Sequence, residues 1–322
     1  MYYVIINPAS KSGHGREIWS QLELVFKDRN IAYQSLFSKG VGHVTSVVEK
    51  LCTSHTNDTS PIKLIVLGGD GTINEVLQGI HDFSKVWIGY IPTGSSNDLA
   101  RDLQLPYNPA DILDIILNDK VVRTMDLGIL TYEDNEEDIY NSIPQTSSTR
   151  YFAVSSGIGF DAAVCQEALT SKFKNMLNKL GLGKLTYLVI ALKQLIAAKS
   201  VACDIYLDDD MEPIHYERFL FTAFMLHKYE GGGFKFCPTA DANDGLLDLC
   251  VIGDLSKLII LFALPTAFWG KHYIFSSIKH YTASKVSLQS SHPLWIHTDG
   301  EVKRKASKIT LSCEKEKIQL MM

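Results

Sequence analysis

Cysteine is scarce in this 322-residue chain, and none of the six (positions 52, 165, 203, 237, 250 and 313) pairs with another as CxxC. A chain of this length buries enough core to do without disulfide staples, so these read as reduced, mostly buried thiols. The ten histidines form no HExxH or other paired-ligand pattern, which removes the common zinc hydrolases. GxxxxGK[ST] and GxGxxG are both missing, which excludes a P-loop NTPase and a Rossmann dehydrogenase. Positive charge is not in excess: the formal net charge is −5, so the whole molecule has no electrostatic footprint for nucleic acid. Long apolar runs are absent too. The most apolar window, Leu258 to Trp269, is shorter than the ~20 residues a spanning helix needs and contains Pro265. Met1-Tyr2-Tyr3-Val4-Ile5-Ile6 has no basic leader before it and reads as a strand rather than a signal peptide. The expectation is a cytoplasmic globular protein that meets a membrane only at its surface.

What is present is order along the chain. Hydrophobic residues make up 46% and charged residues 21%, within the globular range. Short β-branched runs at Tyr3–Ile6, Ala32–Phe37, Leu64–Leu67 and Ile88–Ile91 alternate with helical stretches. Those stretches are Glu17–Asp28, Val44–Cys52, Ile73–Ile80, Asn97–Leu103 and Ala110–Leu117. That alternation predicts an α/β domain with a parallel sheet covered on both faces, over residues 1–125. Beyond Met125 strands dominate: Asp126–Leu130, Arg150–Ser155, Ala202–Leu207, Glu217–Met225, Leu246–Ile252, Lys285–Gln289 and Leu294–Thr298. They predict a mainly antiparallel second domain over 126–307. Helices are expected at Gln166–Ser200 and Ser256–Phe268, and Tyr132–Thr149, acidic from Glu133 to Asp138, reads as an exposed loop.

Three loops at strand ends carry the chemistry. Leu64-Ile65-Val66-Leu67 runs into Gly68-Gly69-Asp70-Gly71-Thr72, followed by Ile73-Asn74-Glu75. Glycines admit a phosphate close to the backbone, and the following helix offers free N–H groups and partial positive charge. A carboxylate here, Asp70, implies an intervening Mg²⁺, since that ion takes carboxylate and phosphate oxygens together. The second loop, Pro92-Thr93-Gly94-Ser95-Ser96-Asn97-Asp98, also leads into a helix, with Asp98 and Arg101 one turn apart. The third is Asn7-Pro8-Ala9-Ser10-Lys11-Ser12-Gly13. Loops at the carboxyl ends of strands in an open sheet converge on one crevice. Farther on, Gly231-Gly232-Gly233 precedes Asp241-Ala242-Asn243-Asp244-Gly245, a plausible hard-cation loop, and Thr298-Asp299-Gly300-Glu301 adds two carboxylates.

In their order and spacing these motifs (NPxS, GGDGTxNE, PTGSSND, GGG…P…DGLLD and DGE) resemble the diacylglycerol kinase catalytic family. The likeness runs from residue 7 to 301 and is narrowest to the bacterial soluble members, which are related to sphingosine kinases. It implies an N-terminal NAD-kinase-like α/β domain, a C-terminal β-sandwich-like lipid-substrate domain, and a last segment, 308–322, returning to the first domain. It implies ATP as phosphoryl donor and Mg²⁺. The implied nucleotide contacts are Asn7, Pro8, Ala9, Ser10, Gly13, Ser38, Gly69, Asp70, Gly71, Thr72, Ile73, Asn74, Glu75, Ser95 and Arg101. Glu301 is implied as general base with Asp299 in support, and Asp70 and Asp98 as organisers of metal and water. A second, structural Mg²⁺ is implied at Asp244, with Asp241 and Leu246 contributing carbonyls.

The implied acceptor is a lipid at a membrane surface, diacylglycerol foremost. Lys172, Lys174, Lys179, Lys184, Lys193 and Lys199 punctuate an apolar segment that reads either as a membrane-surface helix or as a core helix with solvated lysines. A homodimer is left open. Two departures stand out: Lys11-Ser12 lengthens the first loop, and His227 stands where relatives often carry asparagine. The rival readings are an NAD kinase, which shares GGDG, and a non-catalytic nucleotide- or lipid-binding regulator.

Overall fold

The computed structural model describes residues 1–118, 122–133, 149–170, 190 and 192–322. The first half is a parallel sheet in the order β2 (Tyr33–Phe37), β1 (Tyr2–Ile6), β3 (Ile62–Gly68), β4 (Val86–Pro92). Nearly every residue of β1 and β3 is buried, as expected of parallel strands covered by helices on both faces. Successive side chains point to opposite faces and meet different helices. Val4, Ile6, Ile65 and Leu67 pack against α2 (Gly15–Asp28) and α6 (Pro109–Asn118) through Trp19, Phe26, Ile112 and Leu113. Tyr3, Ile5, Leu64 and Val66 face Val44 and Val48 of α3 (His43–Ser54) and Val76 and Leu77 of α4 (Asp70–Gln78).

The second half is mostly strand, in the β-rich, sandwich-like form expected. Its strands are β5 (Val122–Tyr132), β6 (Thr149–Phe152), β7 (Ser155–Gly159), β8 (Val201–Leu207), β9 (Ile214–Met225), β10 (Leu247–Gly253), β11 (Ile278–Ala283), β12 (Lys285–Thr298) and β13 (Glu301–Met321). Two long strands serve both layers. In β12, Val286–Ser290 pairs with β8 and Ile296–Thr298 with β7, the register shifting between. In β9, Ile214–Phe219 pairs with β8, whereas Phe221–Met225 pairs with β7. Strands that bend and change partners make the corners of a sandwich.

β13 joins the halves. It pairs antiparallel with β12 and β5, then runs parallel to β4 at Gln319 and Leu320. One sheet therefore continues from β11 to β2. Its register shifts between Glu314 and Ile318, where Glu316 has φ +52. The buried carboxylate of Asp126 holds that bulge: it accepts from Glu316 N at 2.7 Å and from Gly245 N at 2.7 Å.

Several expectations need correcting. Lys285–Gln289 and Leu294–Thr298 are one bent strand, β12, because the intervening Ser-Ser-His-Pro forms a bulge rather than a turn. The last segment, 308–322, continues a strand that begins at Glu301, since β13 runs unbroken through position 307, and β5 likewise runs through 125–126. Of the helix expected over Gln166–Ser200, the described residues are helical to Thr170, the end of α7 (Phe160–Thr170), and at 190 and 192–197, whereas 198–200 is irregular; 171–189 and 191 lie outside the described residues. Lys172, Lys174, Lys179 and Lys184, and the acids from 134 to 138, lie outside the described residues.

Removing the Asp126 carboxylate leaves the Gly245 and Glu316 N–H groups without the acceptor they share. Asp126→Ala is expected to lower the unfolding free energy by about 3 kcal/mol, read as a lower denaturant midpoint at unchanged slope. A midpoint equal to the parent protein's would show that Asp126 does not hold the tail strand.

Candidate active site

The ends of β1, β3 and β4 are stitched into one crevice. Asn7 N donates to Leu67 O at 2.9 Å, and Thr93 N donates to Gly68 O at 2.7 Å. Asn7 Nδ2 donates to Thr72 Oγ1 at 3.2 Å, and Thr93 Oγ1 to Ser10 Oγ at 2.7 Å. Glycine is required where the loops touch: a Cβ on Gly94 would lie 2.6 Å from Gly69 Cα. Pro8 and Ala9 form the rim beside the short helix α1 (Ser10–Gly13), whose last residue, Gly13, has φ +100. Ser38 sits at the end of neighbouring β2, its N–H donating to Ile6 O at 2.8 Å. Ser95 is exposed at the crevice edge.

α4 begins at Asp70, so its first-turn N–H groups face the crevice. The Asp70 carboxylate accepts from Asp98 N at 3.0 Å and Tyr90 OH at 3.3 Å, and burial raises its pKa. Asp98 opens α5 (Asp98–Asp102), pairs with Arg101 and accepts from Gly232 N at 2.7 Å. Burial pushes Asp98 up to about 6, with the Asp70 charge adding to it. Two adjacent buried carboxylates at an anion-attracting helix start are unfavourable alone and fit a hard cation such as Mg²⁺. The site's electrostatics thus suit that ion.

The second half closes the crevice with two turns. Gly231, Gly232 and Gly233 have φ values of +63, +86 and +120, a run that only glycine adopts without strain. A Cβ on Gly233 would stand 3.1 Å from Arg101 Nη1. His227, buried just before this turn, contacts Asp102 Oδ2 through Nδ1 at 2.8 Å and so ties α5 to the second half. The other turn carries Asp299 at φ +49 and Gly300 at φ +80. Asp299 Oδ1 accepts from Val154 N at 2.8 Å and Ser155 N at 3.1 Å. Its Oδ2 accepts from Ala153 N at 3.0 Å and from Asn74 Nδ2 at 2.9 Å. Asn74, fully buried in α4, is also reached by Arg150 Nη2 at 2.9 Å.

Glu301, two residues on, turns back toward α4: a Cβ on Gly71 would lie 3.0 Å from its Oε1. Among the described residues no hydrogen bond engages its carboxylate. Burial raises its pKa, with Lys303 and Arg150 opposing.

The crevice therefore gathers Asn7, Ser10, Gly69, Asp70, Gly71, Thr72, Ser95, Asp98, Arg101 and Glu301. Other predicted residues have different neighbours. Ile73 is core, and Glu75 binds the start of α3, accepting from Gly42 N at 3.0 Å and Val44 N at 3.1 Å. Asp299 and Asn74 are clamp residues. Asp241 and Asp244 close their own turn, accepting from Asn243 N at 3.1 Å and Leu246 N at 2.9 Å. Burial, then the Asp248, Asp241 and Asp126 charges, raises the Asp244 pKa, so this turn also suits a cation. Sequence reasoning missed Tyr90, Asn97, Arg150 and Asp126. Asn97, at φ +51, closes the second loop by accepting from Gly94 N at 2.8 Å, and Asn before Asp-Leu at a helix start was the signal for it.

Residues 1–130 match the family model of the diacylglycerol kinase catalytic domain, and residues 153–322 that of the YegS C-terminal NAD kinase beta sandwich-like domain. YtlR of Bacillus subtilis, a candidate lipid kinase, is 25% identical over 94% of this chain and 93% of its own length. The Bacillus subtilis diacylglycerol kinase is 26% identical over 92% of this chain and 88% of its own. A diacylglycerol kinase structure from Bacillus anthracis superimposes with a TM-score of 0.69 at 19% identity, over 99% of this chain and 96% of that one. An ATP-bound NAD kinase from Archaeoglobus fulgidus gives 0.52 at 13% identity, over 100% and 94%.

Gly94→Ala forces the first and second halves of the crevice floor apart by roughly an ångström, and misplacement on that scale costs about 100-fold in rate. Kinase turnover is expected to fall by about that factor while the far-UV circular dichroism stays native. Turnover within a factor of two of the parent protein's would contradict the tight Gly69–Gly94 packing.

Proposed function

We propose, for a chain that belongs to the diacylglycerol kinase catalytic family and carries that family's YegS-type C-terminal domain, that it moves the γ-phosphoryl group of ATP to a lipid hydroxyl. Diacylglycerol, giving phosphatidic acid, is the acceptor favoured. The supporting observation is the Glu301 carboxylate, half-buried, unengaged and aimed at the first turn of α4, where phosphates would sit.

Phosphoryl transfer asks a protein mainly for position and charge neutralisation. The loops after β1, β3 and β4 bring main-chain N–H groups and the Thr72 hydroxyl to the phosphates. Asp70 and Asp98 would hold Mg²⁺, which supplies positive charge against the phosphate oxygens when bound. Arg101 pairs with Asp98, holding it in place and opposing the rise that burial gives its pKa. Glu301 accepts the proton of the lipid hydroxyl as that oxygen attacks the γ-phosphorus and the β–γ bridging bond breaks, leaving ADP. Asp299 and Asn74 fix the turn from which Glu301 projects. Asp244, with Asp241 and the Leu246 carbonyl, would hold the second, structural Mg²⁺. The base and the phosphate loops come from different halves of the chain, so the site exists only where the two halves meet.

The test is transfer of labelled phosphate from ATP to a panel of diacylglycerol, a sphingoid base and NAD. Diacylglycerol is expected to be labelled, and Glu301→Gln to lower kcat by about 1,000-fold, within the usual range for a lost general base. Labelling of NAD alone would overturn the reading. A pH profile follows from the raised Glu301 pKa. The base works ionised, so kcat/KM should fall as pH drops through a value above the ordinary glutamate range. Glu301→Gln should remove that acid limb; a limb that persists belongs to another group.

A further inference from the structure

The Leu258–Trp269 window is the most apolar of the chain, and the phosphoryl-transfer site uses none of it. It forms the helix Lys257–Thr266 and the turn that follows. Its inward face is small, with Ile260 and Ala263 buried. Its outward face is apolar and wet. Leu258 and Phe262 are each 64% exposed, Trp269 69% and Ile274 73%. Four large apolar side chains left in water along this helix and the two short turns after it, Ala267–Trp269 and His272–Ile274, mark a binding surface rather than a core.

Cations border this face. Lys257 begins the helix and Lys271 follows it, both exposed. Beside the helix start lies a cavity of about 300 Å³, lined by Lys199, Arg218 and Lys257 above a floor of Leu220, Ile252 and Ile260. Asp254, just before the helix, is already engaged by Arg218, whose Nη2 donates to its carbonyl at 3.2 Å. Apolar side chains with Lys and Arg at their edge match the interface of an anionic bilayer, where tails meet charged headgroups. The same face is bolted to the crevice. Phe268 stacks on Phe234 with ring centroids 3.9 Å apart, and Lys235 N donates to Ala267 O at 2.8 Å. Phe234 directly follows the glycine turn whose Gly232 N–H holds Asp98.

We infer that the Lys257–Thr266 helix and its following turn are the membrane-docking face, seated on anionic phospholipid with a headgroup phosphate in the Lys199–Arg218–Lys257 cavity. This rests on the lipid-kinase reading for its purpose, but not for its test. Docking here presents the glycine turn, and through it the catalytic crevice, to the layer that contains the substrate.

Flotation with vesicles of phosphatidylcholine, with and without phosphatidylglycerol, is the experiment. The full chain should float with the anionic vesicles and about tenfold less with the neutral ones. Phe262→Ser/Trp269→Ser and Lys257→Glu/Lys271→Glu should each lose about tenfold of anionic-vesicle binding. Both should keep native circular dichroism and parent-level transfer to a short-chain, water-dispersed diacylglycerol. Unchanged flotation of the Phe262→Ser/Trp269→Ser protein would overturn the inference. So would a dimer of the full chain that this variant dissolves, because the face would then be covered by a second copy. If vesicle binding behaves as described but the wild type transfers no phosphate to dispersed lipid, the kinase reading fails and the docking face stands.

Discussion

The carboxylate of Asp299 is the interaction on which the rest depends. It sits at a left-handed backbone position between β12 and β13 and receives three consecutive main-chain N–H groups, from Ala153, Val154 and Ser155. A fourth donor, Asn74, reaches it from the helix that opens at the glycine-rich loop. A half-buried carboxylate with four N–H donors is well compensated for its lost hydration. One residue thus locks β7, the β12–β13 turn and α4 together, and Glu301 takes its direction from that lock. Beside it, His297 accepts from Gly300 N at 3.2 Å through Nδ1 and approaches Glu230 Oε1 at 3.0 Å through Nε2. The acidic turn and the glycine turn are therefore held to each other from behind.

This arrangement divides labour between the halves of the chain. The parallel sheet supplies main-chain N–H groups at strand ends, a geometry suited to phosphate and indifferent to what receives it. The antiparallel half supplies Glu301, the amide that steadies Asp98, and the apolar face with its cationic border. The continuous sheet through β13 gives the two parts a shared backbone frame, because the strand that starts at Glu301 ends paired with β4.

Much of the fold was legible because its signals are local. Short continuous apolar runs, glycine turns and helix starts each need only a few neighbouring residues. The strands of the first half stood out for that reason, and the three loops followed from them. β13 was not legible over most of its length. Lys303, Arg304, Lys305, Lys308, Lys315 and Lys317 interrupt its apolar pattern, and its stability comes from partners far away in sequence. The same limit applies to Asp126, an unremarkable acid in a strand until Gly245 and Glu316 are brought to it.

The amino-acid order by itself determined the chemistry on offer: glycines and a helix start for phosphate, carboxylates for a cation and a base, and too little continuous apolar length among those motifs to cross a bilayer. What surrounds each carboxylate was decided only by tertiary structure. Asp70, Asp98, Asp299 and Glu301 are alike in sequence as acids beside glycines or small residues. Burial and partners separate them: Asp299 is saturated with N–H donors, Asp98 is paired with Arg101, Asp70 lies under the helix start, and Glu301 alone is left free to face it. A side chain's role depends on its desolvation and on which donors reach it, and both are set by contacts across long sequence distances.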